Sequence, residues 1–397
     1  MSRPLPLSNL RVLDVSQVMA GPFSCMLLAD MGADVIKVEP PKVGDQTRRA
    51  MGFRLQGDDS AGFLALNRNK RSVELDLKNE AGLRAFYELV KTADVLVENY
   101  RPGVAKRLGI DYETLKEIHP RLIYASISGF GQTGPWAMRP GFDLIAQAMS
   151  GILSVTGQAG AAPAKNSVPV GDLGAGLFTA YAVLSAVIGR GDDGPGQYID
   201  VSLFEAALGL SIWEVAEYWG TGKVPQPLGS ANRMSAPYQA FMASDRHFVF
   251  GAANQKLWAL LCEVLDRPDL LADPRFATNA ERMRHRDELE SALSTTLRTR
   301  KADAWIAALL EAGVPAGPIL TYQEALASEQ AAARDMILDM EHPVEGKIPQ
   351  LGFPVKLRGT PQQLRRPPPL LGEHTEEIMR EIGCDIGKLG QQGAFGR

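Results

Sequence analysis

The sequence predicts an α/β protein with a parallel sheet, followed by a smaller α+β region. Three features predict this. Short strand-like runs alternate with helical runs from Leu10 to Tyr218, the order expected of β-α-β units. The first such unit, Leu10–Glu39, has the strand–turn–helix–strand pattern of a nucleotide-type sheet. After Gly220 a Pro/Gly-rich connector, Thr221–Gly229, opens a stretch of different texture, which marks a domain boundary.

Taken in order, Leu10–Val15 reads as a strand, Ser16–Pro22 as a tight turn, Phe23–Met31 as an apolar helix and Asp34–Glu39 as a second strand. Glu39 at that strand end invites a ribose-binding role, but Gly21 stands alone and Pro22 follows it, so the dinucleotide fingerprint is missing. Ser72–Leu77 is a strand, Glu80–Thr92 an amphipathic helix, Asp94–Glu98 a strand, Tyr112–Ile118 a helix and Arg121–Ile127 a strand leading into the glycine-rich Ser128–Pro135. In an open parallel sheet, ligands gather beyond the carboxyl ends of the strands, here after Val15, Glu98 and Ile127. Helices are expected at Phe142–Gly151 and Leu203–Tyr218, with a strand at Gln197–Val201 between them. Tyr238–Ala243 and His247–Ala252 form a hairpin, and helices follow at Gln255–Leu265, Ala280–Leu297 and Ala302–Ala312. The chain leaves this region near Tyr322, makes strands at Met336–Glu341 and Lys347–Leu351, and ends in a helix at Glu373–Ile382. The domains expected are 1–220, 221–325 and a return at 326–397.

The bulk composition is that of a water-soluble chain: 397 residues, 45% apolar and 22% charged, with a net charge of −4. That balance argues against nucleic acid as a partner. Cys25, Cys262 and Cys384 are far apart, the five histidines have no ligand spacing, and no metal is expected. The first residues lack a signal core, and no uninterrupted apolar run reaches membrane-spanning length. A cytoplasmic protein with no membrane partner is the expectation. A Gly-x-Ser-x-Gly nucleophile elbow is also absent.

One stretch carries chemistry. Asn166–Gly176 places Asp172 among Gly171, Gly174 and Gly176, immediately before the apolar run Leu177–Ile188. An aspartate at a helix mouth is ordinarily a cap. The glycines suggest cleared space beside the carboxylate, and a helix N-terminus favours its ionised form, so Asp172 is a candidate nucleophile. Asp143, after Phe142, reads as a helix-start residue. Asn67–Arg71 packs three cations into five residues. It reads either as a solvated turn or as a phosphate-binding edge, which Arg101 and Arg107 could extend.

These residues together resemble the class III CoA-transferases of the formyl-CoA transferase type. The resemblance is carried by Val12–Val15 with Ala20–Pro22, by Gly32–Glu39, Asn69–Ser72 and Val97–Asn99 with Pro102–Gly103, and by Gly129–Pro135, Gly196–Gln197 and Pro367–Thr375. It implies a Rossmann-like large domain built from both chain ends, a small domain from the middle, and an interlocked homodimer. It implies Asp172 as the nucleophile, with CoA touching Met19, Ala20, Leu75, Asp76, Leu77, Lys78, Asn99, Arg101, Arg107 and Arg139. The CoA thioester is then a substrate, and no cofactor is held permanently. The implied reaction runs from acyl-CoA through an aspartyl anhydride and an aspartyl-CoA thioester, with backbone N–H groups near Gly171–Gly176 facing the oxyanions.

Two departures refine the resemblance. The glycine run of the formyl-CoA transferases is replaced by Gly229–Phe241, which looks more like relatives that move CoA from succinyl-CoA to small dicarboxylates. Arg233 is the cation in that stretch that could meet the acceptor's distal carboxylate, with Arg48 and Arg49 as rivals. The related acyl-CoA racemases carry a histidine where Phe142 stands, so a racemase or epimerase is the second reading. A CoA-binding protein without turnover is the third.

Overall fold

The computed structural model describes residues 3–50, 52–53 and 55–396. The chain divides into two compact units: residues 1–153, 165–223 and 332–397 form one, and residues 154–164 and 224–331 the other.

The first unit is built on six strands, β1 (Arg11–Asp14), β2 (Asp34–Glu39), β3 (Lys70–Glu74), β4 (Val95–Glu98), β5 (Ile123–Ser128) and β6 (Tyr198–Ser202). Their order is β3-β2-β1-β4-β5-β6 and every pairing is parallel. The order reverses at β1, which pairs with β2 on one side and β4 on the other, and such a reversal opens a crevice at the strands' carboxyl ends. Alternate residues feed two cores. Val12, Val35, Val95 and Ile123 face a layer containing Cys25, Leu28, Ala175 and Val183. Leu13, Ile36, Val73 and Leu96 face Phe86, Leu89, Ile378 and Met379. The last two come from the Thr375–Glu381 helix, so the end of the chain closes one face of a sheet begun at its start.

Several boundaries differ from the sequence expectation, each for a physical reason. The first helix is Ala20–Asp30, so Gly21 and Pro22 form its first turn and not part of the preceding turn. Proline is tolerated there because its missing N–H has no intrahelical acceptor. Strand β3 begins two residues early because Lys70 and Arg71 are buried. The expected Leu203–Tyr218 helix is two, Leu203–Leu210 and Ile212–Thr221. Ser211 between them bonds back to the Ala207 carbonyl at 3.1 Å, which weakens a helix at that point. The expected Ala280–Leu297 helix likewise breaks at His285. Asp172 does not cap its helix: Val170–Arg190 is one helix with Asp172 inside its first turn. At 21 residues and mean hydropathy 1.5, this helix has the length and composition of a membrane span, which the shorter sequence reading missed. Its glycine face packs against neighbouring helices, as described below, while Leu177, Phe178, Tyr181 and Ile188 on its other side are exposed.

The second unit holds an antiparallel sheet, β7 (Tyr238–Met242), β8 (His247–Gly251) and β9 (Ala316–Pro318). Phe241, Phe248 and Phe250 pack there with Trp258, Leu293 and Trp305. Residues 154–164 join this unit, and the Gly229 N–H donates to the Gly157 carbonyl at 2.8 Å. In the first unit, a hairpin of β10 (Ile337–His342) and β11 (Gly346–Leu351) stands apart from the parallel sheet.

Candidate active site

The Val170–Arg190 helix is located by its glycines. A Cβ on Gly171 would lie 3.0 Å from Asp143 Oδ1, one on Gly174 2.9 Å from Leu210 Cδ1, and one on Gly176 2.8 Å from both the Ala20 carbonyl oxygen and Phe23 Cδ1. Three neighbouring helices therefore pack closely on this helix, and at Gly176, where the atom met is backbone, a side chain has no room. The glycines expected to clear space for the carboxylate instead admit helices, and so fix where the carboxylate stands. Asp172 lies one helical turn, ~6 Å along the axis, from the contact with Ala20.

Asp143 opens the Asp143–Met149 helix, as expected of a helix-start residue, and it does more. Its carboxylate accepts from the Gly171 N–H at 2.8 Å and from Gln147 Nε2 at 2.7 Å. The fully buried Gln147 amide also accepts from the Asn166 N–H at 2.9 Å and donates to the Asn166 carbonyl at 3.2 Å. The chain entering the Asp172 helix is thus clamped at both ends by one short helix. Burial, and secondarily the Asp143 carboxylate, push the Asp172 carboxyl up to about 7. Of the N–H groups expected to face oxyanions, Gly171 N–H is committed to Asp143 and Leu173 N–H to the Pro169 carbonyl, and those from Gly174 onwards point along the helix to their own i−4 carbonyls.

The second part of the site is the loop after β1. Each backbone group from Ser16 N to Val18 N is held. Ser16 N–H donates to Asp14 at 3.1 Å, and the Ser16 hydroxyl also bonds that carboxylate. Lys37 Nζ donates to the Ser16 carbonyl at 2.9 Å. Asn99, just past β4, accepts from Gln17 N at 2.8 Å and donates to Gln17 O at 2.7 Å, spanning the β1/β4 crevice. Val18 N–H donates to Asp45 Oδ1 at 3.1 Å. Val18 itself has φ +70°, left-handed backbone that costs a β-branched residue ~1–3 kcal/mol. A Cβ on Gly21 would fall 2.2 Å from the Ser16 side chain, so only glycine lets the first helix start this close.

Behind the loop lies a buried ionic cluster. Lys37 sits 2.8 Å from Asp45 and 3.7 Å from Asp14, and Lys70 sits 2.8 Å from Asp14, all at or below 1% side-chain exposure. Burial alone would raise the Asp14 carboxyl, but Lys37 and Lys70 hold it below its usual range, and Lys37 does the same for Asp45. This overturns both readings of Asn67–Arg71. Arg68 pairs with Asp30 at 2.7 Å, and Arg71 with Asp34 at 2.6 Å, Glu377 at 2.8 Å and Glu381 at 2.6 Å. The cluster is neither solvated nor open to phosphate. Arg48 is corrected too: it is 2% exposed and held by Glu39 at 2.7 Å, Asp59 at 2.8 Å and the Pro369 carbonyl at 3.1 Å, so it is buried in its own ion pairs and does not face an acceptor acid. Arg49 is exposed.

The other expected residues fall along the carboxyl edge of the sheet. Met19 and Ala20 begin the first helix. Leu75–Lys78 follow β3, where the Leu75 side chain is buried and its N–H donates to the Glu39 carbonyl at 3.0 Å, so only its backbone oxygen and the residues after it face outward chemistry. Arg101 is exposed after β4. Arg107 is exposed on the Val104–Leu108 helix, its Nη1 3.5 Å from where a Gly103 Cβ would stand. Arg139 lies past β5 with its guanidinium 5.1 Å from the Trp136 ring centre. Arg233 belongs to the second unit, and its Nη2 donates to the Gln226 carbonyl at 2.6 Å. The sequence reading missed Asp45, Gln147 and the bonds made by Asp143. Gly44–Asp45 was a detectable turn signal, but nothing local marks which backbone a carboxylate will reach.

A six-stranded parallel sheet with a switch point at β1, and a glycine-located helix carrying a carboxylate in its first turn, define an α/β protein of the Rossmann-like kind. The chain belongs to CoA-transferase family III, whose model matches residues 7–375. It is 37% identical to the human succinyl-CoA:glutarate CoA-transferase over 95% of this chain and 86% of that one. It is 40% identical to the acetyl-CoA:oxalate CoA-transferase of Acetobacter aceti, covering 96% of this chain and 97% of that one. A CAIB/BAIF family protein from Brucella suis superposes with TM-score 0.84 at 38% identity, covering 96% of this chain and all (100%) of that one.

Proposed function

We propose that this protein transfers CoA from an acyl-CoA, succinyl-CoA foremost, to a small dicarboxylic acid, with Asp172 as nucleophile. The observation that carries this is the placement of Asp172: half-buried in the first turn of the Val170–Arg190 helix, with its carboxyl pushed up to about 7, in a chain whose relatives bear CoA-transferase names. At neutral pH about half of such a carboxyl is ionised, and the ionised form is the nucleophile.

Asp172 attacks the thioester carbonyl, and the CoA thiolate leaves, giving a mixed anhydride. The thiolate returns to the aspartyl carbonyl, expelling the first acid and forming aspartyl-CoA. The acceptor carboxylate then attacks that thioester and the steps reverse, so Asp172 ends as it began. Arg101, Arg107 and Arg139 are the exposed cations at the sheet edge suited to CoA phosphates, and Arg233 is the proposed partner of the acceptor's distal carboxylate. The oxalate-named relative keeps oxalate, itself a small dicarboxylate, among the candidate acceptors. A racemase is disfavoured because Phe142, 70% exposed, offers no base. The homodimer is supported by apolar side chains left in solvent on the first unit, among them Tyr181, Ile188, Ile212, Trp213 and Trp219.

The test is transfer from succinyl-CoA to a panel of oxalate, glutarate, mesaconate and monocarboxylate analogues, read by mass spectrometry. Asp172→Ala is expected to abolish transfer while CoA still binds. Arg233→Ala is expected to lower kcat/KM about tenfold or more for dicarboxylates alone, the worth of a charge-assisted bond. Transfer by the Asp172 variant at the wild-type rate would remove the assignment.

A further inference from the structure

We infer that Asp45 is a positioning residue: its carboxylate, held by Lys37 and Thr47, keeps Val18 left-handed and so sets the Gln17–Met19 loop over the β1/β4 crevice. The inference rests on the proposed function for its kinetic readout and on geometry for the rest.

Val18 is the residue of the loop with positive φ, and a β-branched side chain is the wrong residue to adopt φ +70° unaided. Something must hold it there. Past Gln17, the Met19 carbonyl accepts from the Phe23 N–H at 2.8 Å within the first helix, and the bond that ties Val18 to another segment is its N–H to Asp45 Oδ1 at 3.1 Å. Asp45 is itself immobile. Oδ1 also accepts from Thr47 N at 2.9 Å and Thr47 Oγ1 at 2.7 Å, Lys37 Nζ stands 2.8 Å from Oδ2, and the Asp45 N–H donates to Glu39 Oε2 at 2.8 Å. Gly44, at φ +63°, turns the chain into this position, and a Cβ there would strike Arg48 Cδ at 2.7 Å.

The charges are not explained by stability. A buried ion cluster is commonly no more stable than apolar packing of the same volume. Here its surplus bonds converge on the backbone of Ser16–Val18: Asp14 and Lys37 take the two Ser16 groups, and Asp45 takes Val18. With Gln17 fixed by Asn99, the loop has one direction left to choose, and Asp45 chooses it. Release of Val18 would let it relax to ordinary φ and swing Met19 and the start of the first helix away from the crevice.

The experiment compares wild type, Asp45→Ala and the double variant Asp45→Ala/Val18→Gly by hydrogen–deuterium exchange of the peptide covering residues 15–20 and by transfer kinetics. Asp45→Ala, which leaves no oxygen for the Val18 N–H, is expected to speed exchange of that peptide tenfold or more, with the β4 peptide unchanged, and to lower kcat/KM for acyl-CoA tenfold or more. Adding Val18→Gly is expected to recover kcat/KM to within threefold of wild type, because glycine takes positive φ without strain; a merely structural role for Asp45 gives no such rescue. Unchanged exchange in Asp45→Ala, or no rescue by glycine, overturns the inference. Should Asp45→Ala fail to fold, Val18→Pro replaces it. Proline fixes φ near −65° and removes the N–H while leaving Asp45 and Lys37 intact, so faster loop exchange supports the inference and wild-type exchange overturns it. Absence of transfer in the wild type would sink the proposed function instead, and the exchange data would still decide the loop.

Discussion

The Asp172 carboxyl, pushed up to about 7 by burial and by Asp143, titrates where enzymes are assayed. With Asp172 as the proposed nucleophile in its ionised form, transfer is expected to rise as pH climbs through about 7 and to level off above it. Asp143→Asn removes the like charge while leaving an oxygen for the Gly171 N–H. The Asp172 carboxyl should then fall, and the rising limb of the kcat/KM profile for acyl-CoA should move to lower pH. A limb that stays in place would mean that burial alone sets the titration. In the sequence Asp172 was legible because it is one carboxylate among three glycines ahead of an apolar run. Its surroundings were not, because Asp143 and Gln147 reach it only through a helix contact formed across an intervening stretch of chain.

The glycines of the Val170–Arg190 helix differ in what they meet. A methyl on Gly176 has no room beside the Ala20 carbonyl and Phe23, whereas one on Gly189 meets nothing within 4 Å. Gly176→Ala should destabilise the fold by ~1–3 kcal/mol as an overpacked site and lower turnover, since the helix must shift to make room. Gly189→Ala should stabilise by ~0.5–1 kcal/mol, the ordinary gain in a helix interior. Thermal unfolding of the two variants checks the contrast, and a Gly176 variant as stable as wild type would remove the close-crossing argument. Elements with strong local signals were legible: Asp34–Glu39 and Tyr112–Ile118 stand where their apolar pattern places them. Strand β9 was not, because Ala316–Pro318 is too short to show a period and pairs only through β8. The glycines around Asp172 look alike in sequence, and only packing tells which admits a helix.

At the scale of the whole molecule, the apolar surface predicts association. Ile188 is 82% exposed and Trp219 79%, on a unit whose interior is otherwise well filled. Light scattering is expected to give twice the 43.0 kDa chain mass across a wide dilution range. An active monomer would refute the homodimer. The parallel sheet was legible from the alternation of runs, yet the cations of Asn67–Arg71 were misjudged. A charged side chain reads identically whether it is solvated or buried, and the partners of Arg71 lie at Asp34, Glu377 and Glu381.

The seam between β3 and the end of the chain also bears on synthesis. Asn69 takes the Arg365 and Arg366 N–H groups, Ser72 receives Gly372 and bonds His374, Glu74 N–H meets Thr375, and Arg71 waits for Glu377 and Glu381. All six strands of this sheet have left the ribosome once Ser202 has emerged, but β3 is an edge strand, and the segment that covers that edge follows the second unit in the chain. A nascent chain therefore carries an unsealed sheet edge through the synthesis of residues 224–331. A chain interrupted before Arg365 leaves that edge open to other chains.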